Sequence, residues 1–131
     1  MVVDTSVLVA LFLSEPEHEV FTDVIDDASE AYVSVVSRIE LVSVLCGKRH
    51  QAAPELVAEF IDGLNLEHVP VSIEQMNLAI EALLRFGKGR HPARLNLGDC
   101  FAYALAKSRG LPLLFKGDDF ARTDIVPAWR P

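Results

Sequence analysis

Short, valine-rich apolar runs alternate with longer segments of helical periodicity along the whole chain. Two valines precede Asp4, AYVSVV occupies positions 31–36, LEHVPV positions 66–71 and PLLF positions 112–115. Runs of this length and composition are typical of strands, whereas apolar residues three or four positions apart are typical of helices. Strands that alternate with helices favour a parallel sheet covered on both faces. The pattern therefore predicts an α/β fold with a central, mostly parallel sheet.

Capping residues, prolines and glycines predict where the helices begin and end. We expect helices over Val7–Leu13, from the turn that holds Pro16, from Ser37, from Pro54 to Gly63, and from Ser72 to Gly87. A final helix is expected over LGDCFAYALAKSR, and Ile125–Val126 is a candidate for a last short strand.

Two of these helices carry an apolar stripe that predicts the face packed on the core. After Ser72 the stripe consists of Ile73, Met76, Ile80, Leu83 and Leu84. In the final helix it consists of Leu97, Cys100, Phe101, Ala104 and Leu105, which follow the spacing i, i+3, i+4, i+7, i+8. We expect both stripes to be buried.

The 131 residues suit a single domain over 1–131 without a membrane span. The two cysteines have no CxxC spacing and are expected to be reduced thiols in a cytoplasmic protein. The net charge of −7 is unevenly distributed, at −12 over residues 1–84 and +5 over residues 85–131. The segment RFGKGRHPAR, positions 85–94, holds four cations and no acid, which fits either a solvated loop or a surface that attracts a polyanion.

Acidic residues follow the expected strands at the points where sites form in parallel sheets. Asp4 ends the first strand, Glu40 lies early in the helix after the second, and Asp118 and Asp119 follow the fourth. Asp99 begins a helix that should run antiparallel to the next strand, which brings this acid to the same edge of the sheet. The sequence therefore predicts that all these acids converge.

Each acid also has a purely structural interpretation. Asp4 can be a helix N-cap, Ser37-x-x-Glu40 and Asn96-x-x-Asp99 match capping boxes, and Gly117-Asp118-Asp119 can be a turn. Singly, these interpretations are favoured over catalysis, but helix caps have no reason to converge at one edge.

Convergent carboxylates must protonate, separate or share a cation. Two of them about 4 Å apart repel by roughly 4 kcal/mol at an effective dielectric constant of 20. Oxygen ligands without clustered His or Cys favour Mg²⁺ or Mn²⁺, and a hydrated magnesium site suits phosphoryl chemistry. No P-loop, GxGxxG, GxSxG or HExxH pattern offers another chemistry.

Four stretches carry these acids: VVDTSVLVA, RIELVSVL, GRHPARLNLGDCFAYALAK and LLFKGDDFARTDI. Together they resemble the PIN-domain ribonucleases, most closely the VapC toxins of bacterial toxin–antitoxin pairs, in order from residue 1 to about residue 126. The last two stretches are the most specific. The resemblance implies a PIN-like three-layer α/β/α sandwich whose acidic pocket binds Mg²⁺ or Mn²⁺ and cuts RNA.

By position, the resemblance implies four catalytic acids, namely Asp4, Glu40, Asp99 and Asp119. Asp4 and Asp99 would be the main metal ligands, and Ser6 matches a small hydroxyl residue that supports the first acid. Many relatives carry the fourth acid at the position that Gly117 holds here, so we rank Asp119 first and Asp118 second.

The resemblance also implies the toxin component of a type II toxin–antitoxin system, a metal-dependent endoribonuclease that leaves a 5′-phosphate and a 3′-hydroxyl. Transfer or ribosomal RNA is the expected substrate, a VapB-type antitoxin the expected inhibitor, and a homodimer the expected assembly. Lys88, Arg90 and Arg94 are then predicted to contact RNA phosphates. Lys116, beside the acids, would contact the scissile phosphate or only line the rim.

Two other functions remain open on the sequence. A receiver-like or phosphatase-like domain also gathers acids and Mg²⁺ at strand ends, but such sites usually have a DxD pair, whereas Thr5 and Ser6 follow Asp4. A non-catalytic RNA- or protein-binding module would use the acids only as caps. In that case a divalent cation should change neither thermal stability nor any activity.

Overall fold

A four-stranded, entirely parallel sheet forms the centre of the computed structural model, which describes residues 1–131. The strands are β1 (Val2–Val3), β2 (Tyr32–Ser34), β3 (Glu67–Val69) and β4 (Leu113–Leu114), in the spatial order β3-β2-β1-β4. The helices are α1 (Thr5–Phe12), α2 (His18–Asp26), α3 (Val35–Leu45), α4 (Pro54–Gly63), α5 (Ile73–Phe86) and α6 (Leu97–Arg109). The predicted α/β fold is confirmed. None of the helices combines the length and apolarity that a membrane span requires.

Successive strand residues point to opposite faces of the sheet and build two separate apolar cores. Val2 faces α5 and α6, where the buried side chains include Ala82, Phe86 and Leu105. Val3 belongs to the core on the other face, which α1 to α4 supply. The sheet is therefore sandwiched between helices, as three-layer α/β folds require.

The start of α3 differs from the prediction. The strand before it ends at Ser34, and α3 begins at Val35 rather than at Ser37. The Ser34 hydroxyl accepts a hydrogen bond from the backbone N–H of Val36 at 3.2 Å and caps the helix. The Ser37-x-x-Glu40 capping box is therefore wrong, because both residues lie inside the helix. The β-branched pair Val35–Val36 was predicted to belong to the strand. Ser34, which precedes the pair, instead acts as an N-cap, so both valines begin the helix.

The apolar stripe predicted for α5 is also wrong. Its members Ile73, Met76, Ile80, Leu83 and Leu84 are all exposed, from 37% for Leu83 to 72% for Ile73. The buried face instead carries Gln75, Ala79, Ala82 and Phe86. Small alanines allow a close approach of α5 to α6, and this packing outweighs the larger hydrophobicity of the other face.

Smaller differences concern the ends of elements. The first helix begins at Thr5, two residues before the expected start, and Pro16 lies in a turn before α2. In the second expected stripe Cys100, Ala104 and Leu105 are buried, Phe101 is partly buried, and Leu97 is 63% exposed. No fifth strand forms at Ile125–Val126, where a single parallel bridge joins Leu113 to Pro127. The expected helix from Pro54 to Gly63 and the Ser72 cap of α5 are confirmed.

Replacing the two serines at the start of α3 should have opposite consequences. Ser34→Ala removes the cap of Val36 and should lower the free energy of unfolding by about 1 kcal/mol. The Ser37 hydroxyl is buried without a hydrogen-bond partner. Ser37→Ala should therefore leave stability unchanged or raise it slightly. Urea unfolding of both variants measures the difference, and a larger loss in Ser37→Ala would contradict the observed helix start.

Candidate active site

Asp4 lies at the carboxyl end of β1 and is only 2% exposed. Its backbone N–H donates to the Leu114 carbonyl of β4 at 2.9 Å. Its Oδ2 accepts hydrogen bonds from the Ser6 hydroxyl at 2.6 Å and the Ser6 N–H at 3.0 Å, so Asp4 caps α1. Its Oδ1 is buried and has no partner in the protein. One carboxylate oxygen therefore fixes the helix start, and the other is left for a ligand.

Asp99 lies in the first turn of α6 and combines a capping role with a high pKa. Its N–H donates to Asn96 Oδ1 and its Oδ2 accepts from the Asn96 N–H, both at 2.9 Å, which is a complete capping box. Burial raises the pKa of Asp99 to about 7, helped by the negative charges of Asp4, Glu40 and Asp119 and opposed by the Asn96 hydrogen bond. The four acids are therefore close enough to interact.

Glu40 reaches this cluster from the second turn of α3 and lies against the start of α6. A Cβ atom added at Gly98 would overlap Glu40 Oε2, so any larger residue here would force this carboxylate to shift. The charge of Glu40 contributes to the raised pKa values of both Asp4 and Asp99, and burial is the larger cause for each. A side chain on a separate helix is thus held between the other two acids.

The loop after β4 brings the remaining acids to the same edge. Asp118 and Asp119 are exposed and precede a 3-10 turn that begins at Phe120. The charge of Asp119 contributes to the raised pKa of Asp99. Gly117 has a φ of 97°, a left-handed conformation that disfavours any other side chain. An acid at this position would therefore be strained here.

Lys116 does not point its ammonium at the four acids. Its Nζ donates to Glu15 Oε2 at 2.6 Å and to Glu17 Oε2 at 2.7 Å. Its backbone N–H donates to the Ser6 hydroxyl at 3.0 Å. The residue therefore belongs to the rim, and its main chain helps to orient the hydroxyl that holds Asp4.

The basic loop, residues 85–94, ends two residues before the Asn96 cap of α6. Lys88, Arg90 and Arg94 are exposed and form no salt bridge. The loop is folded back on itself, since the Lys88 N–H donates to the Leu95 carbonyl at 3.0 Å. Free cations therefore lie near the end of α6 that carries Asp99.

The cluster has the chemistry of a site for a hard divalent cation. Its donors are carboxylate oxygens, Asp4 Oδ1 is buried without a partner, and burial, helped by neighbouring negative charge, raises the pKa of Asp99. No three His, Cys, Asp or Glu side chains converge closely enough to form a preformed metal cage. A site that keeps several waters on the metal fits this spacing.

Known proteins resemble this chain over nearly its whole length. The PIN domain profile matches residues 1–126. Ribonuclease VapC42 of Mycobacterium tuberculosis is 37% identical over 129 residues, which cover 98% of each chain. The chain belongs to the PIN-domain family of VapC ribonucleases. The resemblance seen in the sequence is therefore confirmed.

Two solved structures share the PIN-domain fold along nearly the whole chain. The crystal structure of Mycobacterium tuberculosis VapC20, a sarcin–ricin loop cleaving toxin, matches with a TM-score of 0.77 at 19% identity, over 99% of this chain and 98% of that one. A toxin–antitoxin complex from Klebsiella pneumoniae matches with a TM-score of 0.71 at the same identity and coverage. At this identity they show the fold alone. PIN-domain ribonucleases generally depend on a divalent metal ion.

Gly98 is the residue that the sequence analysis of this PIN domain missed. A glycine in the first turn of a helix costs about 1 kcal/mol relative to alanine unless a close approach requires it. That cost was visible in LNLGDC, but the Glu40 side chain that approaches Gly98 comes from a distant segment. The Glu15–Lys116–Glu17 cluster was missed for the same reason.

Adding a methyl group at Gly98 should lower ribonuclease activity without unfolding the protein. In Gly98→Ala the new Cβ overlaps Glu40 Oε2, so the carboxylate must move away from Asp99. We expect cleavage to fall by about 10- to 100-fold and the melting temperature to change little, because the side chain is flexible. Gly63→Ala is the matched control, since nothing lies within 4 Å of its Cβ position. Equal activity in both variants would contradict this prediction.

Proposed function

We propose that this PIN-domain protein is the toxin of a toxin–antitoxin pair and hydrolyses RNA phosphodiester bonds with a divalent metal ion held by its acidic cluster. Asp4 and Asp99 would be the main ligands, directly or through water, and Glu40 and Asp119 would complete the pocket. The observation that carries this proposal is the meeting of the acids at one edge of the sheet: Asp4 Oδ1 is buried there without a partner, and Glu40 lies against Gly98, next to Asp99. The charges of Asp4, Glu40 and Asp119 accordingly help burial to raise the pKa of Asp99. VapC42, the relative described above, is itself named a ribonuclease.

The donor set favours Mg²⁺ or Mn²⁺ as the metal. Both prefer carboxylate and water oxygens, and magnesium usually retains several waters. The unpartnered Oδ1 of Asp4 is the buried atom that most needs a cation. When bound, the ion supplies an activated water and neutralises the charge that develops on the phosphate.

The protein groups of the pocket would orient the reactants. The Ser6 hydroxyl donates to Asp4 Oδ2 and thereby fixes which Asp4 oxygen faces the ligand. Glu40 and Asp119 would accept hydrogen bonds from the attacking water and align it with the phosphorus. Attack by water opposite the 3′-oxygen breaks the P–O3′ bond, so the products are a 5′-phosphate and a 3′-hydroxyl.

Asparagine substitutions should rank the acids by their contribution to cleavage. Asp99→Asn keeps the capping geometry but removes a ligand charge, so we expect at least about 100-fold slower cleavage of a labelled RNA in Mg²⁺. Asp119→Asn should cost more than Asp118→Asn, because the charge of Asp119 acts on Asp99, whereas Asp118 lines the neighbouring cleft.

The exposed acid Asp23 provides the control, and Asp23→Asn should cut as fast as the wild type. Wild-type cleavage by Asp99→Asn with an unchanged melting temperature would rule out the proposed active site. In that case phosphoryl transfer to an aspartate, or RNA binding without cleavage, would return as the alternatives, although no observation at present favours them.

The RNA backbone would be held by the basic loop. Lys88, Arg90 and Arg94 are unpaired and lie near the Asp99 end of α6, so they can offset the negative charge of the remaining protein. Such contacts position the strand without reading its sequence. If Arg90 contacts a phosphate, the RNA affinity of Arg90→Ala should depend less on salt concentration than that of the wild type. An unchanged salt dependence would contradict this role. The proposed substrate is structured transfer or ribosomal RNA, cut in the cytoplasm. Sequencing of RNA ends after induced expression would identify the RNA that is cut.

A VapB-type antitoxin is the proposed inhibitor. Its pairing with this chain follows from the family, and the Klebsiella pneumoniae complex provides a fold-level precedent. The acidic cluster would accept a basic side chain of the antitoxin in place of the metal. Co-purification with the product of the neighbouring gene tests the pairing.

We also propose a homodimer formed through the exposed apolar face of α5. Large side chains such as Ile80 and Leu84 rarely remain solvated as a group, and contiguous apolar patches mark interfaces. The face includes five such residues on one helix, which is enough for the centre of an interface that buries about 800 Å² per partner.

A charge introduced into this face should produce monomers. Ile80→Glu places a carboxylate in the proposed interface, and light scattering should report half the wild-type mass. Val20→Glu is the control, because Val20 is exposed to a similar degree on α2, at 39% against 48% for Ile80. A wild-type protein that is already monomeric at micromolar concentration would contradict the dimer.

A further inference from the structure

A cleft of about 560 Å³ lies beside the acidic cluster, between the loop after β4 and the C-terminal residues 125–131. Its volume is within the range of roughly 300–1,000 Å³ that is typical of small-molecule sites. The floor and walls include the aromatic side chains of Phe115 and Trp129, and Lys116 and Arg130 are the cations among the lining residues. Neither the basic loop nor the α5 face contributes to it.

The aromatic wall is held in place by the sheet. The Leu113 N–H donates to the Val126 carbonyl at 2.9 Å, and the Ala128 N–H donates to the Leu113 carbonyl at 2.8 Å. Trp129 then packs edge-on against Phe21, with ring centroids 5.6 Å apart and an interplanar angle of 85°. The C-terminal segment is therefore a fixed wall, and a ligand would find the cleft already formed.

The loop after β4 contributes residues to the cleft and also carries Asp119 of the acidic cluster. The Lys116 N–H contacts the Ser6 hydroxyl, which in turn holds Asp4. Gly117 and Asp118 line the cleft, and Asp119 is the next residue along the chain. If one phosphate of an RNA strand lies at the acids, the next nucleotide can therefore reach the cleft.

The lining carries two acids, Glu17 and Asp118, and two cations, Lys116 and Arg130, of which Arg130 is the one left to contact a phosphate. Arg130 is exposed and forms no salt bridge, whereas Lys116 is already engaged by Glu15 and Glu17. A free guanidinium next to Phe115 and Trp129 combines a phosphate contact with a stacking surface. Proteins that bind single-stranded nucleic acid use this combination, since every base has a π-face.

We propose that this cleft binds a nucleobase of the RNA strand next to the scissile phosphate, stacked on the Phe115 and Trp129 wall, with Arg130 on the adjoining phosphate. The proposal rests on the proposed ribonuclease function and adds a subsite to it. The cleft is a specificity element, because the base it accepts influences which phosphodiester bond reaches the acids.

Trp129 is the only tryptophan of the chain, so its fluorescence reports directly on the cleft. The Asp99→Asn variant in Mg²⁺ would be titrated with a short single-stranded RNA of mixed sequence and with the same RNA lacking its bases. The intact RNA should quench the emission to saturation, and the abasic RNA should not. Quenching by both would place only the backbone in the cleft and overturn the proposal.

Two substitutions test the contacts separately. Trp129→Leu should weaken binding of the labelled RNA by about tenfold, the effect of one lost stacking contact. Arg130→Ala should weaken it by roughly two- to fivefold, the effect of an exposed ion pair. Arg122→Ala is the control with the same charge change, since Arg122 belongs to the same C-terminal part but does not line the cleft. Arg130→Ala also keeps the test decisive if Trp129→Leu is unstable.

Failure of the subsite and failure of the ribonuclease function give different results. If the wild type cuts RNA while Trp129 emission stays unchanged and Arg130→Ala binds and cuts normally, the cleft holds no base and the active site stands. If Asp99→Asn cuts as fast as the wild type, the proposed active site fails. An emission change on adding the antitoxin but not RNA would make the cleft a protein-docking site and overturn the proposal.

Discussion

The mutual repulsion of carboxylates at one edge of a parallel sheet constrains much of this molecule. β1, α3, α6 and the loop after β4 each bring an acid to that edge, and burial removes the water that would screen them. Two such charges about 4 Å apart repel by roughly 4 kcal/mol at an effective dielectric constant of 20. Burial raises the pKa of Asp99 to about 7, and the repulsion by Asp4, Glu40 and Asp119 adds to this effect. A divalent cation relieves this repulsion, so the same feature that destabilises the metal-free protein gives it affinity for a metal.

Capping roles and the proposed catalytic roles fall on the same side chains. Asp4 caps α1 with one oxygen and leaves the other buried and unpartnered, and Asp99 completes the capping box of α6. Capping therefore does not compete with ligation, because each helix start fixes the position of a carboxylate in advance. The sequence left open whether Asp4 and Asp99 are helix caps or catalytic acids. The two roles are compatible, so the proposed catalytic role does not exclude the observed capping. Orientation by capping lowers the entropy that a ligand would otherwise lose on binding.

Features that depend on local chemistry and on the order of the elements could be predicted from the sequence. Features that depend on packing between distant segments could not. The alternation of strands and helices was enough to bring the acids to one edge, since parallel strands and their connections leave little choice. The buried face of α5 could not be predicted, because Ile80 and Ala82 lie on two different stripes that both have helical spacing. Only the packing against α6 determines that the alanine stripe is the buried one. Gly98 and Lys116 likewise acquire their roles from Glu40 and from Glu15 and Glu17, which are remote in sequence.

A metal ion requires acidic ligands, whereas an RNA strand requires cations. The uneven charge of the chain separates these two kinds of residue. The acids needed for the metal repel a polyanion, and residues 1–84 carry a net charge of −12. The cations are concentrated in residues 85–131, partly in the basic loop before α6 and partly in the C-terminal segment that forms the cleft. In the proposed function, an RNA strand drawn to these two regions would also meet the acids, where a bound metal ion would offset the local negative charge. Metal binding and RNA binding are then coupled by electrostatics, since each lowers the charge that opposes the other.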